Sequence, residues 1–392
     1  MSPRPGDREP VLVASARTPV GRLGGMFRHV EAVDLGAAAV AEALSRAGDI
    51  RPEQVLLGNV VQAGNGQNPA RIAAARAGVE PTVPAVTLND VCLASMSATA
   101  WAAAQIRHGE LSAAVVGGFE SMTRAPHGVR TRVAPRVGDA DLVDLLVHDG
   151  LWCGLTEQGM GALSDAENAR LGVSRADQDE FAVRSHRCAH AAQTSGTLAE
   201  EIVGVAGVPS TADEGVRPDS GPAQLARLAP AFTPSGTITA ANASQMSDAG
   251  AAGVVTSAAR ARAAGFRTAV QLVDRAVVAG PDATLHLKPA RAARALLERN
   301  GLAAADVELW EINEAFAGVV LATVRDLGID LATVNTCGGA IALGHPLGAS
   351  GFRLLSTLAH RLVRGDAELA VAAICGGGGQ GEALLLRRAE LG

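Results

Sequence analysis

Short apolar runs alternate along the chain with longer Ala-rich segments in which apolar positions recur every three or four residues. The short runs are typical of buried strands and the longer segments of helices, so the pattern predicts an α/β fold. In the first third of the chain the predicted strands are 11–15, 54–59, 85–88 and 113–118, and the predicted helices are 32–47 and 96–107. In the last third the predicted helices are 289–300 and 351–364, and the predicted strands are 307–312, 369–375 and 382–386.

The two outer parts of the chain look duplicated. Gly48 and Gly301 each follow a predicted helix and precede a predicted strand, and so do Gly109 and Gly365. The members of the two pairs lie at nearly the same separation along the chain. Two matches of this kind indicate two similar units packed about a pseudo-twofold axis.

The middle of the chain breaks this alternation. It is rich in proline and contains one clear helix, predicted at 175–194, which Ser174 can cap through the N–H of Asp177. An insertion of this length is typical of a region that faces a substrate. We therefore predict a first core domain of 1–118 plus 249–267, a loop domain of 119–248 and a second core domain of 268–392.

The composition is that of a globular protein, because 48% of the 392 residues are hydrophobic and 19% are charged. The formal net charge is −6, Lys288 is the only lysine, and 3% of the residues are aromatic. Without a basic surface or stacking side chains, no nucleic-acid partner is expected. The long uncharged stretch 331–352 contains His345 and Pro346, so no membrane span is predicted, and the first ten residues do not resemble a signal peptide.

The chain has five cysteines, which are scattered and form no C-x-x-C pair: Cys92, Cys153, Cys188, Cys337 and Cys375. This pattern predicts neither a disulfide framework nor a metal site. It favours a reducing compartment, and we expect a cytoplasmic protein. Each cysteine is by itself as well explained as a small buried apolar residue, so its context has to identify a reactive one.

Cys92 lies between the predicted strand 85–88 and the helix that follows it. A thiol at such a turn faces unpaired backbone N–H groups and the positive end of a helix, and both favour the thiolate. The small residues after Cys92 allow a close approach of the backbone. Position alone is equally compatible with a buried structural cysteine.

Two glycine-rich stretches carry further candidates. His345 stands between Gly344 and Pro346, where a ligand can approach it or where backbone hydrogen bonds can fix it. Cys375 opens a run of glycines that ends at Gly381. The run is not a dinucleotide-binding loop, because a predicted strand follows it where that fingerprint requires a helix. Glycines beside a strand suit backbone N–H groups aimed at an oxyanion.

Several ordered motifs resemble those of the thiolase family over essentially the whole chain. They are residues 16–21, 64–71, 117–122 and 313–316, the Gly-His-Pro stretch and the final Cys-Gly-rich stretch. The resemblance implies a duplicated five-layered α/β/α/β/α core with an inserted loop domain. It also implies acyl-CoA substrates, coenzyme A as co-substrate with no permanently bound cofactor, and a homodimer or homotetramer.

Matching the motifs residue by residue implies roles. Cys92 matches the nucleophile that accepts the acyl group, and His345 matches the histidine that activates it. Cys375 matches the second cysteine, which moves the proton at the α-carbon. Asn313 matches the residue holding a water that, with His345, stabilises the thioester oxyanion. The backbone N–H groups of Cys92 and Gly377 match the other oxyanion hole.

Ser244 and Arg217 match positions that contact coenzyme A. Two departures from the family pattern bear on function. Ala94 and Ser95 stand where family members usually have Ser-Gly after the nucleophile, and they keep the turn small. Gly159 stands where the biosynthetic acetoacetyl-CoA branch typically has a histidine, which leaves room for a larger acyl group.

The resemblance thus implies an acyltransferase of fatty acid metabolism. It cleaves 3-ketoacyl-CoA thiolytically to acyl-CoA plus acetyl-CoA, or runs the reverse Claisen condensation, through an acyl group on Cys92. Two alternatives are a biosynthetic acetoacetyl-CoA thiolase restricted to short chains and a catalytically inactive acyl-CoA-binding paralogue. A decarboxylating ketoacyl synthase fits less well, because those enzymes pair their cysteine with two histidines and this chain has Asn313 and a second cysteine instead.

Overall fold

The structure is a computed structural model that describes residues 5–132 and 137–392, so residues 133–136 of the predicted loop domain lie outside it. The strands are β1 (Pro10–Arg17), β2 (Gly21–Arg22), β3 (Gln54–Gly58), β4 (Ala85–Leu88), β5 (Ala113–Ser121), β6 (His127–Gly128), β7 (Val143–Asp144), β8 (Trp152–Cys153), β9 (Gln158–Gly159), β10 (Ser247–Ser257), β11 (Thr268–Ala279), β12 (Leu309–Ile312), β13 (Leu369–Gly376) and β14 (Gln380–Glu390). The helices are α1 (Ala32–Ala47), α2 (Pro69–Arg76), α3 (Ala94–His108), α4 (Met160–Leu171), α5 (Arg175–Thr194), α6 (Pro222–Leu225), α7 (Ala258–Ala263), α8 (Lys288–Arg299), α9 (Ala317–Leu327) and α10 (Leu347–Arg364).

The main sheet consists of two half-sheets with the same internal order. In the first half β1, β10, β5 and β3 are neighbours, with β4 at the edge, and in the second half β11, β14, β13 and β12 are neighbours. The pairs β3–β5 and β12–β13 are parallel, and the other neighbours within each series of four are antiparallel. The predicted duplication is therefore confirmed at the level of strand order and direction.

The half-sheets meet where β1 pairs with β11, so hydrogen bonding makes them one continuous sheet. They nevertheless form separate layers, because α3 and α10 contact each other and strands of both halves. Helices α1 and α2 cover the outer face of the first half, and α8 covers the outer face of the second beside α9. This is the five-layered α/β/α/β/α arrangement that the sequence predicts.

Three apolar cores hold these layers together. The largest lies around the two central helices and includes Met96 and Phe352. The other two lie under the outer helices, around Phe119 in the first half and around Trp310 in the second. Because α3 and α10 lie within the largest of these cores, the residues at their first turns are held in tightly packed surroundings.

Most predicted elements agree with the structure, and the differences have local causes. Helices α1 and α5 have the predicted bounds, and Ser174 accepts a hydrogen bond from the N–H of Asp177 as expected. Helix α10 begins at Leu347 and not at 351. Its first turn contains Gly348, which the sequence pattern placed outside the helix and which packs closely against β5. A Cβ atom at Gly348 would lie 2.6 Å from the carbonyl oxygen of Phe119. No helix among the described residues is long and apolar enough to cross a membrane.

Candidate active site

The fold brings Cys92 and His345 into contact although 253 residues separate them. Cys92 lies in the turn between β4 and α3, and His345 lies just before α10, the central helix that contacts α3. The Sγ atom of Cys92 is 3.3 Å from Nε2 of His345. We call residues 89–93 the nucleophile turn.

The hydrogen bonds of Ser350 fix the tautomer of His345. Ser350 Oγ donates to the carbonyl oxygen of Pro346 at 2.8 Å and lies 2.6 Å from Nδ1 of His345. A hydroxyl has a single hydrogen, so Nδ1 must carry the proton and donate it to Ser350. Nε2 is then the free acceptor, and it faces Cys92. The imidazole is therefore oriented as a base toward the thiol.

Burial keeps this pair uncharged. It raises the pKa of the Cys92 thiol to about 12, although hydrogen bonds from the backbone N–H groups of Gly377 and Cys92 act in the opposite direction. It also lowers the pKa of His345 to about 4, and the charge of Arg353 adds to this effect. The expectation that the turn favours the Cys92 thiolate is thus wrong for the resting protein. Desolvation outweighs the two backbone hydrogen bonds, and the thiol has to pass its proton to the imidazole.

Cys375 lies at the end of β13 and opens the segment 375–380, which we call the glycine loop. Its side chain is 1% exposed and lines the same cavity as Cys92, His345 and Gly377. Burial raises its pKa well above the usual value, and the neighbouring Cys92 raises it further. The hydrogen bonds from Gly377 and Cys92 show that these two N–H groups converge on the Cys92 sulfur. Such a pair can also stabilise an oxyanion formed beside it.

The other predicted site residues lie at different distances from this centre. Asn313 Nδ2 is 3.5 Å from Nε2 of His345, and no group in the described part of the chain donates to its buried Oδ1. Ser244 lines the cavity of Cys92. Arg217 is exposed and is absent from the described lining of that cavity; its backbone N–H donates to Nδ1 of His186 at 3.1 Å.

Apolar side chains form the remaining wall of the cavity. Leu151 and Met160 come from the region between β5 and β10, whereas Leu285, Phe316 and Leu347 lie at or just before the starts of α8, α9 and α10. Gly159 precedes Met160, and a Cβ atom at Gly159 would have no neighbour within 4 Å. The cavity can therefore accept an apolar group next to the sulfur atoms, and the space at Gly159 is open.

Glu120 is a buried residue whose importance the sequence did not reveal. Its carboxylate accepts hydrogen bonds from Asn59 Nδ2 at 2.9 Å and from the N–H groups of Val60 and Gly348, each at 3.0 Å. It thus joins the segment after β3 to the first turn of α10, next to His345. Burial raises its pKa to about 7 against these hydrogen bonds.

Signals for the missed residues were present but weak. Glu120 is a charged residue inside a run of small and apolar residues that forms a buried strand, and such a residue must find buried partners. Ser350 follows His345 by five residues at the start of α10. That spacing is informative only once the helix start is known, and the sequence placed it four residues too late.

The described residues contain no group of three or more His, Cys, Asp or Glu side chains that could hold a metal ion. A thiol paired with a neutral imidazole, beside two N–H donors and a second thiol, is suited to covalent acyl transfer through cysteine. The arrangement defines the class of cysteine-dependent acyltransferases.

Comparisons with known proteins agree with this class. The family model described as "Thiolase, N-terminal domain" matches residues 10–259, and the one described as "Thiolase, C-terminal domain" matches residues 266–388. A probable acetyl-CoA acetyltransferase of Mycolicibacterium smegmatis is 45% identical, covering 96% of this chain and 100% of that protein. An acetyl-CoA acetyltransferase of Cupriavidus necator is 42% identical, covering 96% and 99%.

A solved structure also matches over nearly its full length. The crystal structure of the Bacillus anthracis acetyl-CoA acetyltransferase has a TM-score of 0.93 and 33% identity, covering 97% of this chain and 98% of that one. The chain therefore belongs to the thiolase family. Thiolases are acyltransferases, and the duplicated five-layered fold is that of the solved relative.

Proposed function

We propose that this protein transfers an acyl group reversibly between coenzyme A and Cys92. In the degradative direction it cleaves a 3-ketoacyl-CoA to acetyl-CoA and a shortened acyl-CoA, and in the other it performs the Claisen condensation. The observation that carries the proposal is the 3.3 Å contact between Cys92 Sγ and His345 Nε2 in the cavity that Cys375 also lines.

The first half-reaction uses both thiols. The Cys92 thiol gives its proton to Nε2 of His345, and the thiolate attacks the keto carbon of the substrate. The bond between the keto carbon and the α-carbon breaks, and the Cys375 thiol protonates the enolate of acetyl-CoA that leaves. The N–H groups of Cys92 and Gly377, and a water held by Asn313 with His345, are assigned to the oxygens that become negative.

The second half-reaction restores the protein. The Cys375 thiolate takes the proton of an incoming coenzyme A thiol, which attacks the acyl group on Cys92. The Cys92 thiolate leaves and recovers its proton from His345. Neutral resting groups suit this cycle, because no charge has to be buried until the substrate is bound.

The substrate has to bring its thioester to this cavity. We assign coenzyme A contacts to Ser244, which lines the cavity, and to Arg217, which is exposed and carries a guanidinium group of the kind that pairs with phosphates. No permanently bound cofactor is required. We further propose that the protein works in the cytoplasm, in fatty acid metabolism, as a homodimer or homotetramer. Light scattering on the purified protein tests the oligomeric state.

The alternatives have less support. An inactive acyl-CoA-binding paralogue would not need Cys92, His345 and Cys375 around one cavity, with Asn313 beside the imidazole. A site restricted to acetoacetyl-CoA would not need the open space at Gly159. Neither replacement after the nucleophile disturbs the turn, since Ser95 is fully buried and its Oγ accepts a hydrogen bond from the N–H of Phe352 at 2.9 Å.

A thiolysis panel tests the proposal. Loss of enolate absorbance is followed after coenzyme A is added to acetoacetyl-CoA, a medium-chain 3-ketoacyl-CoA and 3-oxoadipyl-CoA. We expect turnover, and we expect a radiolabelled acyl-CoA to label the native protein but not Cys92→Ser. Tight binding of coenzyme A without turnover of any substrate would establish the inactive paralogue, and label persisting on Cys92→Ser would exclude Cys92 as the nucleophile.

A further inference from the structure

A chain of hydrogen bonds connects the nucleophile turn to the strand that follows the glycine loop. Asp90 accepts a hydrogen bond from Gln380 Nε2 at 3.0 Å. Its other carboxylate oxygen lies 2.9 Å from Ser97 Oγ, in the first turn of α3. Ser97 Oγ also lies 2.9 Å from Oε2 of Glu382, in β14. None of these residues has a place in the reaction described above, although they link the two segments that carry its two thiols.

The hydrogen count at Ser97 is unusual. A hydroxyl donates one hydrogen and accepts two. Arg275 Nη2 donates to Ser97 Oγ at 3.0 Å, and the remaining neighbours are the carboxyl oxygens of Asp90 and Glu382. Ser97 can donate to only one of them. If both were ionised, the other would be an acceptor facing an acceptor at 2.9 Å, and one added proton removes this conflict.

The surroundings place that proton on Glu382. Glu382 is 0% exposed and Ser97 is 1% exposed, whereas Asp90 is partly exposed and has a second donor in Gln380. Burial raises the pKa of Glu382 to about 7, although the neighbouring Arg275 acts to lower it. Arg275 Nε donates to the other carboxyl oxygen of Glu382. With the proton on Oε2, Ser97 accepts two hydrogen bonds, donates one to Asp90 and is fully satisfied.

We propose that Glu382 is a proton-holding positioning residue. In its carboxylic acid form it donates to Ser97 and, through Ser97, Asp90 and Gln380, fixes the nucleophile turn against the glycine loop. Glu382 does not touch the substrate or the reacting atoms. It acts through the distance between Cys92 and Cys375, which the carbon–carbon step needs and the acylation of Cys92 alone does not.

Ionisation of Glu382 should weaken the link. The charged groups that face Glu382 are Arg275 from β11 and Asp90 from the nucleophile turn, while β13 places Ile374 opposite it. On α8, the Lys288 ammonium bonds to Asp282 at 2.8 Å. A second negative charge beside Asp90 is therefore only partly balanced. The link should be intact below neutral pH and should weaken as the pH rises through about 7.

The first readout is spectroscopic and needs no enzymatic activity. It therefore tests the protonation of Glu382 even if the proposed function is wrong, whereas the kinetic readout described last rests on that function. An infrared difference spectrum of native protein minus Glu382→Gln at pH 6 should show the carbonyl band of a carboxylic acid. Ser97→Ala removes the acceptor and should move this band. If the difference spectrum shows only carboxylate bands at pH 6, the proposal is overturned. If Glu382→Gln does not fold, the spectrum of native protein minus Ser97→Ala decides the same question.

Thermal stability gives a second readout of the same proton. Because the folded-state pKa of Glu382 is raised, its contribution is present below the unfolded-state value and is lost as the pH rises through about 7. The Tm of the native protein should therefore fall relative to that of Glu382→Gln between pH 5 and pH 8. A constant difference in Tm over this range would overturn the assignment.

The kinetic readout is the rate of condensation divided by the rate of Cys92 acylation. This ratio is measured for the native protein and for Glu382→Gln at each pH. Between pH 6 and pH 8.5 the native value, divided by the Glu382→Gln value, should fall about two- to tenfold, the change expected when one buried hydrogen bond is lost. Ser97→Ala should lower the ratio at every pH. Glu311→Gln is a matched control, because Glu311 is a buried carboxyl with a pKa raised to about 7 that pairs with Arg353 instead. An equal response of Glu311→Gln would show a general effect of buried carboxyls and overturn the positioning role.

Discussion

The two sides of the cavity are built differently. The reactive floor, which comprises Cys92, His345, Cys375 and Gly377, lies at the ends of elements that the layered core encloses. The acyl wall, which includes Leu151 and Met160 and is adjoined by Gly159, belongs to the region inserted between β5 and β10. A Cβ atom at Gly348, beside the floor, would collide with backbone, whereas one at Gly159 would meet nothing within 4 Å.

This difference separates chemistry from substrate choice. The floor is held by directed hydrogen bonds, from the imidazole of His345 to Ser350 and from the N–H of Gly348, at the start of α10, to Glu120. The wall is held by apolar contacts, which set a volume but no orientation. Substitutions in the floor should therefore change the rate with every substrate, and substitutions in the wall should change which substrate is preferred.

The largest expected effect distinguishes the two thiols of the floor. Cys92→Ala should form no acyl-enzyme, because the Cys92 thiol is the one that the imidazole of His345 contacts and can deprotonate. Cys375→Ala should still accept an acyl group on Cys92 but should lose carbon–carbon bond formation by about 10²–10⁴-fold, the usual worth of a positioned proton donor. Intact-protein mass spectrometry after incubation with acetyl-CoA measures acylation, and enolate absorbance measures condensation.

Cys188→Ala is the matched control for the loss of a thiol. Cys188 lies in α5, is partly exposed and does not line the cavity, so both half-reactions should keep the native rate. Equal losses of both half-reactions in Cys92→Ala and Cys375→Ala would contradict the division of roles and would make the floor a single unit.

A smaller effect is expected at the wall. Native protein should cleave 3-ketoacyl-CoA substrates longer than acetoacetyl-CoA at least as efficiently as acetoacetyl-CoA itself, because the space at Gly159 is open. Gly159→His should fill that space and lower kcat/KM for the longer substrates roughly 10- to 200-fold, which corresponds to a rise of about 1–3 kcal/mol in the activation free energy. The measurement is kcat/KM across chain length for both proteins.

Gly154→His provides the control for this substitution. Gly154 lies in the same hairpin and also has open space around it, but neither Gly154 nor its chain neighbours line the cavity. Its chain-length profile should match that of the native protein. A sharp native preference for acetoacetyl-CoA that Gly159→His leaves unchanged would show that Leu151 or Met160 sets the length of the pocket.

The two sides also differ in how far the sequence predicts them. The α/β class follows from alternating periodicity and the duplication from the repeated helix–strand pattern, whereas the five layers are what the resemblance to the thiolase family implies; the matched structure confirms them. The floor residues lie in short motifs next to predicted strands, so their meeting follows once the duplication is recognised. Their roles remain predictions until the variants above are measured.

Long-range electrostatics could not be predicted in the same way. The resting charge of Cys92 depends on desolvation, which local sequence does not reveal, and the turn alone suggested the wrong direction. The partners of Glu120 and Glu382 come from segments far apart in the chain. The wall depends on side-chain packing in an irregular region, where periodicity gives no guide.

The smallest expected effect tests how firmly the floor holds its base. Ser350→Ala removes the acceptor that keeps the proton of His345 on Nδ1 and that supports the imidazolium formed during acylation. Acylation of Cys92 should slow about two- to tenfold, the worth of one buried hydrogen bond. The native rate should stay flat from pH 8 down to pH 5, because the pKa of His345 is lowered to about 4 and the neutral base is lost only below that range.

Ser356→Ala removes another buried hydroxyl of α10, one that bonds to Ser15 Oγ at 3.0 Å, and should lower Tm without slowing acylation. If both serine variants slowed acylation equally, the effect would be one of helix packing, and the floor would owe its orientation to the core alone.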